Sequence, residues 1–506
     1  MQVIADLQLH SRFSRAVSKE MTIPNIAAWA RRKGIALVAT GDWTHPMWFR
    51  EIERDLEEIG NGLLKLRKSA EVGMPLISPR QGPNRESLTH HDSAKAVTGI
   101  EKTRLPADFH PDPLFLLATE VSCIYSQNGK GRRVHTLIWV PTIESARKIS
   151  QEMTKRGCNL LSDGRPIIGL TSMQVAELVF SIEPKALIIA AHCWTPWFSL
   201  YGSMSGFNSI EEAFGPYAKQ IYAVETGLSS NPSMNWLIKE LDHRSIVSFS
   251  DAHSGPKLGR EATVFDVDEL SYGSIYQAIK EGNREQGIGN SSAPTLNPTP
   301  QSLIPHISYT IEFYPEEGKY HWSGHRACNI RWSPSESKKN GTVCPVCGKP
   351  LTQGVEQRVG ELASRSESDL QLSAISYQLS DKTVIQMTKS GAFPSRPPFV
   401  MLVPLLEIIA EAVGSPVASP KVQTPYFRLT DEVGSEFEIL LTSEPGQIAK
   451  VAGERVAEGV DRVRKGRLRI DPGYDGVFGV VKIWDEGTGG IVEGGKEQLS
   501  LLTEEK

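Results

Sequence analysis

The chain has 506 residues, 40% of them hydrophobic and 23% charged, with six cysteines and a formal net charge of −4. That length excludes a single compact core and calls for two to four domains, and the charge excludes a uniformly basic nucleic-acid binder, so any such site is a local patch. The sparse cysteines exclude a disulfide scaffold and fit a reducing, cytoplasmic setting, and the lack of a run of 18 or more apolar residues excludes a membrane span.

The first residues, Met1 to Asp6, carry no basic segment followed by a long apolar core, so no signal peptide is expected. Val3 to His10 alternates apolar residues with Asp6, Gln8 and His10, which places these three polar side chains on one face of a strand. Buried there, they need partners, and a metal ion supplies one. Arg12, Arg15 and Lys19 follow within eight residues, as a solvated loop or as a phosphate-binding cluster beside the site. Pro24 suits the first turn of a helix that Gly34 ends, and residues 35–39 form a second strand, completing a β-α-β unit. Just past that strand lie Asp42, Trp43 and His45.

A polar helix is predicted from Phe49 to Lys68, and residues 76–110 read as an irregular loop in which His90 and His91 are exposed and not ligands. Further apolar runs lead into Glu120, His192 and Glu225, and His135 sits near the start of the run from Val134 to Val140. The run Ile246–Phe249 ends in Asp251 and His253, two metal-ligand types one residue apart. A lone histidine after a strand is more often a cap. Recurrence along one chain argues for a barrel that gathers strand ends into one mouth.

The expected organisation is a barrel over residues 1–285, a linker over 286–305, a zinc module over 306–356, a mixed and largely helical domain over 357–485, and a polar tail over 486–506. In the third segment His325 and Cys328, then Cys344 and Cys347, form two pairs each spaced by two residues, which is the spacing of a closed structural zinc site. His321 is an alternative to His325. Beyond it, Pro397-Pro-Phe399 and Leu402 to Ala412 read as a proline-initiated helix, and Gln447 to Lys465 as another. The latter ends in Arg462, Arg464, Lys465, Arg467 and Arg469, more positive charge than a helix dipole needs, and so a candidate phosphate contact.

The ordered motifs Asp6-Leu-Gln-Leu-His10-Ser11, Thr40-Gly-Asp42, Glu120, His135, His192 and Ser250-Asp-Ala-His253 resemble the polymerase-and-histidinol-phosphatase (PHP) superfamily of metal-dependent phosphoesterases. Thr40 to Pro46, Ala191 to Trp197, Val224 to Ser230, the zinc ribbon and Gly473 to Gly479 narrow the resemblance to endonuclease Q. The resemblance implies an α/β fold, a distorted β/α barrel followed by a zinc ribbon and a helical C-terminal domain. It implies an endodeoxyribonuclease that cuts 5′ of deaminated bases such as hypoxanthine, uracil and xanthine.

The same resemblance assigns the ligands. His10, Glu120 and Asp251, with Gln8, would hold one catalytic ion; Glu120 would bridge to a second held by His135 and His192; His45 or Asp42 with His253 would serve a third. These two or three ions would be Zn, Mn or Mg, beside one structural Zn. Asp251, His192 and Glu120 are the expected catalytic core. Trp43, Trp194, Trp197, Phe198 and Tyr201 would line a pocket for an extruded base. Damaged DNA is the implied partner, with a sliding clamp or helicase as an accessory and no membrane.

The family motif has His-x-His where this chain has Gln8 and His10. An amide oxygen is a weaker ligand than imidazole, which leaves two readings: a weak metal position, or a protein that binds damage without cutting. A small-molecule phosphatase and a 3′ exonuclease of the same superfamily compete with the endonuclease. The zinc ribbon and the residues beyond it argue against the phosphatase, because a small substrate needs no such extension.

Overall fold

The computed structural model describes residues 1–71, 112–282, 304–380 and 383–484. His90 and His91, nearly all of the 286–305 linker and the 486–506 tail lie outside the described residues. Seven strands follow one another around a curved sheet: Gln2–Asp6, Leu37–Ala39, Leu114–Gln127, Lys130–Val140, Leu187–Ala190, Ala223–Glu225 and Ser245–Val247. Neighbours pair in parallel except at Lys130–Val140, which is antiparallel to the strands on both its sides. The parallel strands therefore deliver their carboxyl ends to one rim.

The ring closes irregularly, which is what makes the β/α barrel a distorted one. A parallel bridge joins Leu9 to Ala252. The Thr263 hydroxyl accepts from the Ser248 N–H at 3.0 Å and donates to the Ser248 carbonyl at 3.1 Å, tying the last strand to Ala262–Asp266. Period-two alternation holds in the first strand: Val3, Ala5, Leu7 and Leu9 join the apolar core, while Asp6, Gln8 and His10 are equally buried. The first helix, Ile23–Lys33, has a proline in its first turn, and Gly34, at φ 83°, closes its carboxyl end.

Three elements depart from expectation, two of them at glycine. The polar helix ends at Asp55, and Leu56–Glu58 pairs back on Leu64–Leu66 around Gly60 and Gly62, both near φ 84°. The long basic helix is two, Pro445–Ala452 and Glu454–Arg464, broken at Gly453 with φ 91°. The apolar stretch after Pro398 begins as a strand, Phe399–Met401, because it pairs with His306–Glu312; its helix, Leu405–Val413, starts later behind Pro404.

The barrel sheet does not stop at the barrel. It continues through Ala262–Asp266, His306–Glu312 and Phe399–Met401 into the hairpin Thr383–Ser390 and Leu372–Ser380. The C-terminal helices return to the first helix, where Lys33 meets Glu436 at 2.6 Å in a buried pair that Tyr426 also bonds. Among the described residues no helix is long and apolar enough to cross a membrane.

Candidate metal centre

Glu120 lies midway along Leu114–Gln127, and His135 on the neighbouring strand is paired two residues away, at Ser122. Both side chains are buried. Glu120 Oε1 is 2.6 Å from His135 Nδ1 and 3.4 Å from His192 Nε2; its other oxygen is 3.1 Å from His10 Nε2. One carboxylate thus faces two donor groups. The first is His10, Asp251 and His253, and the second is Glu120, His135 and His192. His10 Nε2 also lies 3.2 Å from Asp251 Oδ1.

The supports around these donors are carboxylates and strained turns. Asp42 accepts from or pairs with His10 Nδ1 at 2.9 Å, the Ser11 N–H at 2.6 Å and the Ser14 hydroxyl at 2.9 Å. In this arrangement its two oxygens hold the imidazole and the Ser11–Ser14 turn. His45 caps the helix Pro46–Asp55 through its Nδ1, and its ring stacks on Phe13 at 4.6 Å. Asp6 accepts from Ser250 N–H and hydroxyl and from Gly259 N–H, pinning the loop that carries Asp251. Asp42, His192 and Asp251 all have positive φ, at 47°, 29° and 46°. A non-glycine residue held there costs roughly 1–3 kcal/mol, and such strain gathers at functional sites.

Glu225 receives the His192 N–H at 2.7 Å. Burial, then the charges of Asp251 and Glu120, push its carboxyl well above the usual range. Burial likewise pushes His135 down to about 4, so its ring is neutral and a ready donor at pH 7. Against burial, Arg165 and His135 hold Glu120 well below the usual carboxylate range, so it stays ionised. Arg165 was not anticipated: its guanidinium is 3.4 Å from both His10 Nε2 and Glu120 Oε1. A single cation in the turn Asp163-Gly-Arg-Pro166 carries no signal in the sequence.

The donor chemistry fits divalent ions. Gln8 Nε2 donates to Glu120 Oε2 at 2.8 Å. The reverse amide orientation would press an oxygen against a carboxylate, so the Gln8 carbonyl is the free end. That oxygen and Asp251 Oδ1 are buried without a hydrogen bond, which is the condition of oxygens that serve as metal ligands.

The zinc module is equally specific. His325, Cys328, Cys344 and Cys347 bring four donors within 4.8 Å of one another. Opposing the effect of burial, backbone N–H groups of Cys347 and Val346 draw the Cys344 thiol down to about 6, toward the thiolate a zinc ion takes. His321 stands apart, buried with Nε2 3.5 Å from Glu356.

The expected DNA contacts divide. Arg464 is only 3% exposed and donates to the carbonyls of Leu440, Ile439 and Ser443, so it is a packing residue. Arg462 donates to the Ile483 carbonyl, and Lys465 and Arg467 share Asp461. Arg469 and Lys19 are exposed. Arg12 pairs with Glu51, and Arg15 with Asp163 at 3.3 Å. Of the aromatics, Trp43, Trp194 and Tyr201 are 0% exposed and pack in the core. Trp194 bonds Asn235 and Tyr201 bonds Glu240. Trp197 and Phe198 remain half-buried, and Phe198 stacks 4.9 Å from His135.

A barrel that collects histidine and carboxylate donors into two adjacent groups, with the fold of solved endonucleases, supports a metal-dependent nuclease. In particular, the chain is similar to endonuclease Q along nearly its whole length, as its motifs indicate. The lesion-specific endonuclease Q of Pyrococcus furiosus superposes with a TM-score of 0.70 and 29% identity, covering 96% of each chain. Endonuclease Q bound to a 27-mer duplex with an abasic lesion at its active site gives 0.69 and 29%, over 96% of this chain and 98% of that one.

Residues 404–467 match the MJ0043 C-terminal domain family. The uncharacterized protein MJ0043 of Methanocaldococcus jannaschii is 30% identical over 57% of this chain, and the match spans only 31% of that longer protein. The uncharacterized protein YqxK of Bacillus subtilis is 26% identical over 72% of this chain and 78% of its own length.

Proposed function

We propose that the protein is a DNA-repair endonuclease that hydrolyses the phosphodiester 5′ to a deaminated base: hypoxanthine, uracil or xanthine. The observation that carries this is Glu120, facing both donor groups beneath Arg165, in a chain that shares its length and fold with a lesion-specific endonuclease. His10, Asp251 and His253, with the Gln8 carbonyl, would hold one divalent ion, and Glu120, His135 and His192 another. Such ions neutralise the phosphate, activate a water and stabilise the leaving 3′-oxygen.

The chain's own groups do the rest. Asp42 fixes the His10 tautomer, so that Nε2 faces the centre. Arg165, beside Glu120 and His10, would bind the non-bridging phosphate oxygens. Trp197 and Phe198 are the aromatic surfaces left to meet an extruded base. Lys19 and Arg15 extend the positive edge for flanking phosphates.

The test is an end-labelled duplex carrying one internal deoxyinosine or deoxyuridine, incubated with Mg²⁺, Mn²⁺ or Zn²⁺ beside an undamaged duplex and an Asp251→Ala variant. A single cut immediately 5′ of the lesion, absent from both controls, is the expected result. A ladder from the 3′ end would replace the proposal by an exonuclease, and DNA affinity without cutting in any metal by a binder.

A further inference from the structure

The metal centre gives no task to the motif Gly473-Tyr-Asp-Gly-Val-Phe-Gly479. In the fold it is a tight reversal. Tyr474 and Val477 exchange backbone hydrogen bonds at 3.0 and 2.8 Å, and the two residues between them, Asp475 and Gly476, have φ of 40° and 85°. Both positive values are what a two-residue type I′ turn demands, and Asp-Gly is a favoured pair for it.

The turn is bound to the zinc module on every side. Gly473 and Gly479 donate to the carbonyls of Glu316 and Glu317, Gly476 to that of Lys319, and Trp322 donates to that of Gly473. The Asp475 carboxylate accepts from the Arg326 N–H at 2.6 Å and the Thr352 hydroxyl at 2.5 Å. A Cβ on Gly479 would overlap the Glu316 carbonyl oxygen, so the contact admits no side chain there.

Between these fixed points Phe478 stands 69% exposed, the most exposed large hydrophobic residue described. A mobile loop can carry an exposed phenylalanine without consequence. Here the turn is hydrogen-bonded to the preceding module at both ends, so the ring is presented at a fixed place on the surface. Its neighbours name the partner's chemistry. Lys319 Nζ lies 5.2 Å from the Phe478 ring and 6.0 Å from Tyr320. Tyr320 in turn packs edge-on to Trp197 at 5.4 Å, and Trp197 adjoins Phe198 over His135. Aromatic rings, with the Lys319 cation between Tyr320 and Phe478, therefore lead from the donor cluster to the Phe478 tip. Base faces beside phosphates are the ligand such a path suits.

We propose that Phe478 is a wedge that enters the base stack of bound duplex DNA beside the lesion and holds open the space the extruded nucleotide leaves. The inference rests on the endonuclease reading above. Phe478 is a positioning residue: it touches neither the reacting phosphate nor the donor clusters.

The experiment compares the cutting rate of a deoxyuridine lesion in duplex with that of the same lesion in single-stranded DNA, for the full-length protein and for Phe478→Ala and Phe478→Trp. A wedge matters only where a stack must be opened. The duplex to single-strand rate ratio of Phe478→Ala should fall by about tenfold, and Phe478→Trp should restore it. With Asp251→Asn to prevent cutting, 2-aminopurine beside the lesion should brighten on binding, and lose that signal when Phe478→Ala is added. An unchanged ratio, or an equal loss on both substrates, overturns the wedge while leaving the endonuclease standing. Absence of cutting by the unaltered protein on either substrate overturns the endonuclease reading, and the wedge with it.

Discussion

Gln8 is the residue that bears most directly on the proposed activity. Its amide nitrogen bonds Glu120 and its carbonyl is buried without a hydrogen bond, so as a proposed ligand it would offer a weaker donor than imidazole. Gln8→His should tighten retention of the ion at His10 and Asp251 by roughly tenfold, read by competition with a chelator. Equal metal content and equal activity in the two proteins would remove Gln8 from the ligand set. Arg464 makes the opposite case. Truncation to alanine leaves three carbonyls without their charged donor and should destabilise the protein by about 3 kcal/mol in urea unfolding. The salt slope of DNA binding should not change, whereas loss of a phosphate contact would lower it by about one.

The residue scale also marks where sequence reading ends. Periodicity and the recurrence of donor residues near strands singled out His10, Glu120, His135, His192 and Asp251, which the fold brings into two adjacent groups. They could not separate Trp197 from Trp43 and Trp194, because all three follow strand ends, and only packing decides which ring is sealed inside. Nor could they say whether Asp42 is a ligand or a carboxylate that orients one, since the two are the same residue type at the same rim.

At the scale of elements, the centre depends on turns more than on strands. The loop after Ala223–Glu225 reaches the centre through Gly227, at φ 51°, where a Cβ would overlap His192 Cβ. Gly227→Ala must therefore move His192 or the loop. Because displacement of a reacting geometry by about 1 Å costs on the order of 10²-fold, cutting should fall by that factor. Gly341→Ala is the matched control: φ is 84°, but nothing lies within 4 Å of the added carbon. It should cost about 1 kcal/mol of stability and leave the rate alone. Similar losses of rate in both variants would mean that backbone strain, not the approach to His192, is responsible. Glycine also accounts for the misread helices, since composition over residues 49–68 and 447–465 is helical and the breaks at Gly60, Gly62 and Gly453 depend on φ that composition does not specify.

For the whole molecule, the question is why a hydrolytic barrel carries a zinc ribbon at all. The four zinc donors stand in a module whose Tyr320 touches Trp197 and whose backbone clasps the 473–479 turn. The barrel's candidate donors are all supplied by residues 8–253, so a metal held by Cys328, Cys344, Cys347 and His325 would have no part in their coordination. Module and barrel should then fail separately. Cys344→Ser should lose one tightly held zinc per chain and weaken binding of lesion duplex by at least about tenfold, because the surface that presents Phe478 and Tyr320 is no longer folded. Hydrolysis of a small aryl phosphodiester, which needs only the barrel, should stay within about twofold of the unaltered protein on the same physical ground. Metal analysis, DNA titration and the small-substrate assay on one preparation decide the matter. Parallel loss of both activities would show that the ribbon supports the catalytic barrel itself, and that the sheet running from one into the other transmits its unfolding.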